Sequence, residues 1–309
     1  MIYTLTLNPA LDLELSVAEI LFNQVVRASQ VRVDCGGKGF NISRALAKLG
    51  TPSVALGLVG GKTGERLAEE LEKQGVKVEF TWISAETRTN VAIVTTPLTN
   101  YIKVNQPGPT ITSHEMASLL EKVQSLVGPG DLWALSGSLP PGAASDAYQP
   151  LISAIQSSGG KALIDADGDT LHQACREKPY LVKPNAIEAS QLAGIQIHSP
   201  ADARQAAGLF HAMGVIVVMV TLAEQGAVIS DGKNAWWARP PQVTVQSPIG
   251  AGDAALAGYI WGMVQGNGLP DALRMAVASG SASASLPGTA VADMDLIGSI
   301  ADKVEVISL

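Results

Sequence analysis

Short aliphatic and β-branched runs alternate along the chain with longer stretches whose apolar residues recur every three or four positions. The runs Ile2–Leu7, Ser53–Leu58, Leu132–Leu135, Ala162–Asp165, Leu181–Lys183, Val215–Thr221 and Ala227–Ser230 predict strands. Helical periodicity marks Asn41–Lys48, Glu65–Gln74, Ser113–Val127, Ala147–Ser157, Ala186–Leu192 and Asp202–Met213. Such alternation predicts βαβ units, and hence a mainly parallel sheet with helices on both faces. Val215–Val220 is apolar without a period of two, as a strand covered on both sides should be.

Two segments break the pattern. Leu11–Asp34 and Thr89–Asn105 carry strand-like residues, among them Leu13, Leu15, Val31, Val33, Val91, Ile93, Tyr101 and Val104, but no helical stretch. They read as hairpins too short to stand as an independent domain. Together they form a small β-layer, a lid, on a single domain spanning residues 1–309.

Composition narrows the class. Among 309 residues, charged side chains make up 16% and the hydrophobic set 47%, which excludes disorder. A net charge of −7 and the lack of a basic run argue against a nucleic-acid partner. Two cysteines, Cys35 and Cys175, cannot build a disulfide framework and suit a reducing compartment. The N-terminus alternates like a strand instead of carrying a cationic leader, and no apolar run could span a bilayer, so no membrane partner is expected. A cytoplasmic globular α/β protein is the expectation.

The strongest chemical signal is Ser247-Pro-Ile-Gly250-Ala251-Gly252-Asp253 at the start of an apolar helical stretch. A Gly-x-Gly turn opening a helix leaves N–H groups aimed outward at the positive end of the dipole, which suits phosphate oxygens. Asp253 there is either a general base or an N-cap. Asp12, just past the first strand, sits where α/β sheets bind ligands, or is a solvated acid. In Gly36-Gly37-Lys38-Gly39-Phe-Asn41, glycines permit close backbone approach and Lys38 supplies a point charge. Asn185 and Glu188, three apart, are either a capping pair or oxygen ligands reaching Mg²⁺ through waters. Arg27, Lys38, Arg88 and Lys103 lie in or beside the β-layer, and cations converging there in an acidic protein would mark an anionic substrate. Gly57-Leu-Val-Gly-Gly61-Lys62-Thr63 is not a P-loop, because Leu56 stands where the first glycine must be. The four histidines show no metal spacing, and Ser136-Gly-Ser138 is no nucleophile elbow.

Taken in order, Asn8-Pro-Ala-Leu-Asp12, Gly36-Gly-Lys-Gly-Phe-Asn41, Thr87-Arg88, Ser136-Gly-Ser138-Leu-Pro-Pro-Gly142, Lys183-Pro-Asn-Ala-Ile-Glu188 and Gly250-Ala-Gly-Asp253 resemble the PfkB family of carbohydrate kinases over essentially the whole chain. The resemblance implies a three-layer α/β/α ribokinase-like fold with a mainly parallel central sheet and a small β-sheet lid. It implies Asp253 as base and the amides of Gly250, Ala251 and Gly252 as anion hole. Asp12, Gly36, Gly37, Asn41 and Ser138 would hold the sugar. Asn185 and Glu188 would organise Mg²⁺ near ATP, the co-substrate. Lys183, Thr221, Ala223, Gly226 and Ser283 would line the nucleotide site, and the lid would serve as a homodimer interface. Lys38, Arg88, Lys103 and Asn105-Gln-Pro-Gly-Pro109 look like the members that phosphorylate ketohexose phosphates. Fructose 1-phosphate is the expected acceptor, with tagatose 6-phosphate and fructose 6-phosphate as alternatives. A neutral-sugar kinase and a non-catalytic sugar-phosphate sensor are the more distant readings. Ala223 departs from the family pattern by replacing a glycine, and Ala254 by replacing a serine or threonine. Asp165-Ala-Asp167 lacks a frequent serine.

Overall fold

The computed structural model describes residues 1–95 and 100–309. From the N-terminus, β1 (Ile2–Thr6) leads to β2 (Ala10–Val17), β3 (Gln30–Gly36), α1 (Lys38–Lys48), β4 (Val54–Val59) and α2 (Gly61–Lys73). The short strands β5 (Lys77–Val78) and β6 (Thr81–Trp82) precede β7 (Arg88–Thr95) and β8 (Tyr101–Val104). Then come α3 (Ser113–Leu126), β9 (Leu132–Ser136), α4 (Gln149–Ser157), β10 (Lys161–Asp165), α5 (Gly168–Cys175), β11 (Leu181–Val182), α6 (Ala186–Ala193) and α7 (Pro200–Ala212). β12 (Val217–Thr221), β13 (Ala227–Ser230) and β14 (Ala235–Arg239) precede α8 (Ala251–Val264), α9 (Leu269–Ala284), α10 (Met294–Ala301) and β15 (Glu305–Ser308).

Among the described residues the strands form two sheets. The larger has eleven strands, ordered β15-β14-β13-β12-β11-β10-β9-β1-β4-β5, with β6 beside β4. From β12 to β5 all neighbours run parallel, while β13, β14 and β15 add antiparallel edges. Alternation within single strands splits the core. Tyr3, Leu5, Trp133, Leu135, Val218 and Val220 face a layer made by α3 to α7. Ile2, Leu132, Ala134, Val217 and Met219 face α1 and α8 to α10. Tyr3 and Trp133 stack across the first layer, ring centroids 4.1 Å apart. Burying a side chain such as Leu5 or Leu135 completely contributes about 1.5–3 kcal/mol, so this two-sided filling fixes the strand register.

The smaller sheet, β3-β2-β7-β8, is the expected β-layer. β7 and β8 pair antiparallel as expected, but residues 96–99 of that segment lie outside the described residues. β2 pairs antiparallel with β3 across a long 18–29 connection, and parallel with β7. Its two faces differ. Asp12, Glu14, Arg32, Asp34, Arg88, Asn90 and Lys103 share one by register, and Leu13, Leu15, Val31, Val33, Val91, Ile93, Ile102 and Val104 the other.

Several expected boundaries shift. β11 ends at Val182, so Lys183 lies beyond the strand, and β12 begins at Val217, not Val215. α5, α9, α10, β14 and β15 were not expected as elements; α9 is a serine- and alanine-rich run whose buried face is made mostly of small side chains. No helix among the described residues is long and apolar enough to cross a membrane.

Candidate active site

The carboxyl ends of β1, β9, β10 and β11 open on one cleft, flanked by the N-termini of α1 and α8. Gly250 adopts a left-handed conformation (φ 81°) just before α8, which turns the chain so that the helix begins facing the cleft. No side chain caps this helix. Ala251 turns its N–H back to the Pro248 carbonyl (3.3 Å). Of the three residues expected in the anion hole, Ala251 is therefore the one whose amide is engaged, and those of Gly250 and Gly252 are left at the open first turn, joined by that of Asp253.

Asp253 is buried in this first turn, and its Oδ2 accepts a hydrogen bond from Asn41 Nδ2 (2.8 Å). Burial, reinforced by repulsion from Asp165, pushes its carboxyl up to about 7, against the pull of Asn41, Lys183 and Lys38. Asp165 ends β10, fully enclosed. Lys38 Nζ lies 3.0 Å from one of its oxygens and Lys183 Nζ 2.9 Å from the other. Burial alone would raise the Asp165 carboxyl; the two ammonium groups outweigh it and hold it below its ordinary value. Lys38 loses to burial and gains more from Asp165, so it stays charged. A Cβ on Gly252 would lie 3.3 Å from Lys183 Nζ, so glycine lets that ammonium settle on the helix tip. The floor of the cleft thus combines outward amides, two cations and one carboxylate able to take a proton near neutral pH.

Asp12 lies on the neighbouring wall. Its Oδ1 accepts from Asn90 Nδ2 (2.7 Å), and burial raises its carboxyl despite Asn90, Lys103 and Arg88. Gly36 is required there: a Cβ would stand 2.6 Å from the Asp12 carboxylate. Gly37 (φ 143°) precedes α1. Arg88 comes close, but three of its N–H groups donate to the carbonyls of Asn8 (2.8 Å), Pro9 (3.3 Å) and Gln106 (2.8 Å). It fastens two loops at the sheet end, leaving two N–H groups for a ligand. Lys103 is exposed on β8, on the Asp12 face. Arg27 lies in the exposed 18–29 connection, and Ser138 is exposed after β9.

On the other side, Asn185 and Glu188 form a reciprocal capping box: Glu188 N–H donates to Asn185 Oδ1 (2.9 Å), and Asn185 N–H to Glu188 Oε2 (2.8 Å). Burial raises the Glu188 carboxyl. No cluster of three or more His, Cys, Asp or Glu among the described residues could hold a metal. The one carboxylate oxygen left outside the box, Oε1, fits a cation carried mainly by phosphates and reached through water. Asn185 bridges to Thr221 in parallel, bringing the two expected nucleotide segments side by side. Gly226 is closed against Ala238, whose carbonyl oxygen would lie 1.9 Å from a Cβ. Ser283 is buried in α9; the neighbouring Ala284 carbonyl is what ties this helix to the turn before α8, through Gln246 (2.9 Å) and Ser247 (3.1 Å).

Two contributors carried no assigned role in the sequence: Asp165 and Asn90. Asp165 had a signal, an acid closing a predicted apolar strand. Asn90 had one in its register opposite Asp12, visible only once β2 and β7 are paired.

Comparison with known proteins agrees with this geometry. A family model described as pfkB family carbohydrate kinase matches residues 6–295. The chain is 34% identical over 284 residues to a 1-phosphofructokinase of Bacillus subtilis, covering 92% of each. It superposes on phosphofructokinase-2 from Escherichia coli in complex with potassium with a TM-score of 0.92, at 32% identity and 98% coverage of each chain. The tetrameric inhibited form of phosphofructokinase-2 from Escherichia coli gives 0.90, again at 32% identity and 98% coverage of each.

Ala223 adopts φ 50°, the left-handed region, in the loop where the resemblance expects glycine. That conformation costs an alanine about 1 kcal/mol. Ala223→Gly should therefore raise the melting temperature by about 1–3 °C, read by calorimetry. An unchanged or lower value would contradict strain at this position.

Proposed function

The chain belongs to the pfkB family of carbohydrate kinases, and on that premise we propose that it transfers the γ-phosphoryl group of ATP to fructose 1-phosphate, giving fructose 1,6-bisphosphate. It is a sugar-phosphate kinase; the acceptor and the roles of individual residues are the proposal. The observation that carries it is a buried carboxylate, Asp253, poised near neutral pH at an uncapped helix tip and bonded to Asn41. The resemblance of the whole chain to a 1-phosphofructokinase and the cations on the Asp12 face support a phosphorylated ketohexose.

In this reading Asn41 occupies Asp253 Oδ2, so Oδ1 accepts the acceptor hydroxyl proton while that oxygen forms a bond to the γ-phosphorus. The bond from the γ-phosphorus to the β,γ-bridging oxygen breaks, and ADP leaves. The Gly252 and Asp253 amides with Lys183 stabilise charge spreading over the equatorial oxygens. Mg²⁺, when bound with the nucleotide, neutralises phosphate charge, and Asn185 and Glu188 would hold it through waters. Asp12, with Asn90 fixing its carboxylate, orients sugar hydroxyls, and the β-layer acts as a lid over the same domain.

Asp253→Asn should lower kcat by about 10²–10⁴-fold in an ADP-release assay while phosphosugar binding persists. In the native protein kcat/KM should rise with pH through about 7, because the base works only when deprotonated. Near-normal turnover of the variant would remove Asp253 from this role. Comparing kcat/KM for fructose 1-phosphate, fructose 6-phosphate and tagatose 6-phosphate tests the acceptor.

Lys103→Ala should raise the phosphosugar KM by about tenfold or more and leave that of ATP unchanged, the signature of a lost charge-assisted contact to the substrate phosphate. Equal effects on both substrates would exclude that role.

The lid's second face also points to a partner: a second copy of the chain. Val31 and Val104 are exposed there, and so are Phe22 (78% exposed) and Val25 (85% exposed) in the 18–29 connection between β2 and β3. An apolar strip of this extent on a sheet is a self-association surface, and the similar phosphofructokinase-2 has a tetrameric form. Val31→Asp should convert dimer to monomer in sedimentation velocity with the fold intact. A native protein that sediments as a monomer would overturn the assignment.

A further inference from the structure

Among the described residues the Asn41 amide is the neutral side chain hydrogen-bonded to the Asp253 carboxylate, and its orientation decides what that carboxylate meets. A buried arginine stands directly behind it. Arg44, three residues on along α1 and only 7% exposed, donates from Nη1 to Asn41 Oδ1 (3.2 Å) and from Nε to Gln74 Oε1 (2.7 Å). Gln74, at the end of α2, donates from Nε2 to the Glu70 carbonyl (3.1 Å).

Every link in this chain has a forced direction. The Glu70 carbonyl can only accept, so the NH₂ of Gln74 must face it and Oε1 must face Arg44. A guanidinium can only donate, so Asn41 must present its oxygen to Arg44. The NH₂ end of Asn41 is then the end left for Asp253. Without Arg44 the amide could turn over and place Oδ1 against a carboxylate oxygen, a contact that only the protonated acid could satisfy.

We propose that Arg44 is a positioning residue for phosphoryl transfer, holding the Asn41 amide so that it donates to Asp253 and leaves the other carboxylate oxygen for the proton. This rests on the reading of Asp253 as the base. The charged groups that also face Asp253 are Asp165 at the end of β10, Lys183 beyond β11 and Lys38 on α1, and none of them touches Arg44 in the chain just described. Arg44 therefore acts on the base through Asn41.

The test compares native protein, Arg44→Met, Arg44→Lys and Asp253→Asn, with kcat/KM for the phosphosugar followed on both sides of about pH 7. Arg44→Met keeps most of the aliphatic stem and removes every donor. It should move the acid limb up by about one pH unit, a tenfold loss below the limb that recovers at alkaline pH. The KM for ATP should not change, and Arg44→Lys should fall between native and Met. A packing role would lower the profile evenly, and an unmoved limb overturns the proposal. If Arg44→Met fails to fold, Gln74→Leu, at an exposed position, should shift the limb in the same direction by less; no shift there overturns it equally. An inactive Asp253→Asn beside an unmoved limb sinks the positioning role alone, whereas an active Asp253→Asn sinks the base itself.

Discussion

A single buried carboxylate organises this cleft. Asp165 is enclosed by protein, and the two ammonium groups of Lys38 and Lys183, one on each oxygen, stabilise its charge. These three residues come from α1, β10 and the segment after β11, so one ionic cluster pins three parts of the fold together. Removing Asp165 would leave the buried Lys183 ammonium without its counter-charge, a loss of about 3–5 kcal/mol for a buried pair. The same cluster sets the chemistry. Asp165 repels Asp253, whose carboxyl burial has already raised, and the lysines limit the effect so that the acid still ionises near neutral pH. Structure and reactivity share one set of charges.

The topology explains why those charges meet. In a parallel sheet all carboxyl ends lie at one edge, so residues far apart in the chain converge there without long connections. Asp12, Ser138, Asp165, Lys183 and Asn185 all follow strands whose ends open on this edge. The antiparallel β13 to β15 extension lies away from it and contributes only through the Thr221–Gly226 turn. The smaller sheet returns to the body through Thr289, whose hydroxyl donates to Asp34 (3.1 Å), and through Arg32, whose guanidinium lies against Gly288. Its polar face is therefore held over the cleft and its apolar face away from it.

Much of this was legible in the chain. The seven strands predicted from apolar runs all exist, within about two residues at their ends, because strands buried on both faces need uninterrupted aliphatic side chains. The Gly250–Asp253 turn was legible because only glycine adopts its backbone readily. The rest was not, for physical reasons. Asp165 is an acid at a strand end, and nothing local says that two lysines, from positions 127 residues before and 18 after it, will enclose it. Arg88 has the charge expected of a phosphate ligand, yet three of its donors are used on backbone carbonyls that only folding brings near. Of the two readings of the Asn185–Glu188 spacing, the structure shows the cap on α6.

The two central carboxylates bind protons in opposite senses, which limits how stable such a site can be. Asp165 binds its proton more weakly when folded than when unfolded, so its contribution is present above its ordinary titration range and is lost as pH falls. Asp253 binds its proton more tightly when folded, so its contribution is full in acid and is lost as pH rises from about 4 towards 7. The fold is thus weakened by Asp253 over the same pH range in which that carboxylate becomes a usable base. Relief is available only by neutralising the group or exposing it to water. The first removes its charge, and the second returns its affinity for protons to that of an ordinary aspartate. A poised buried acid and a fully relaxed interior are therefore incompatible at this position, and the charges of Lys183 and Lys38 limit what the ionised form costs.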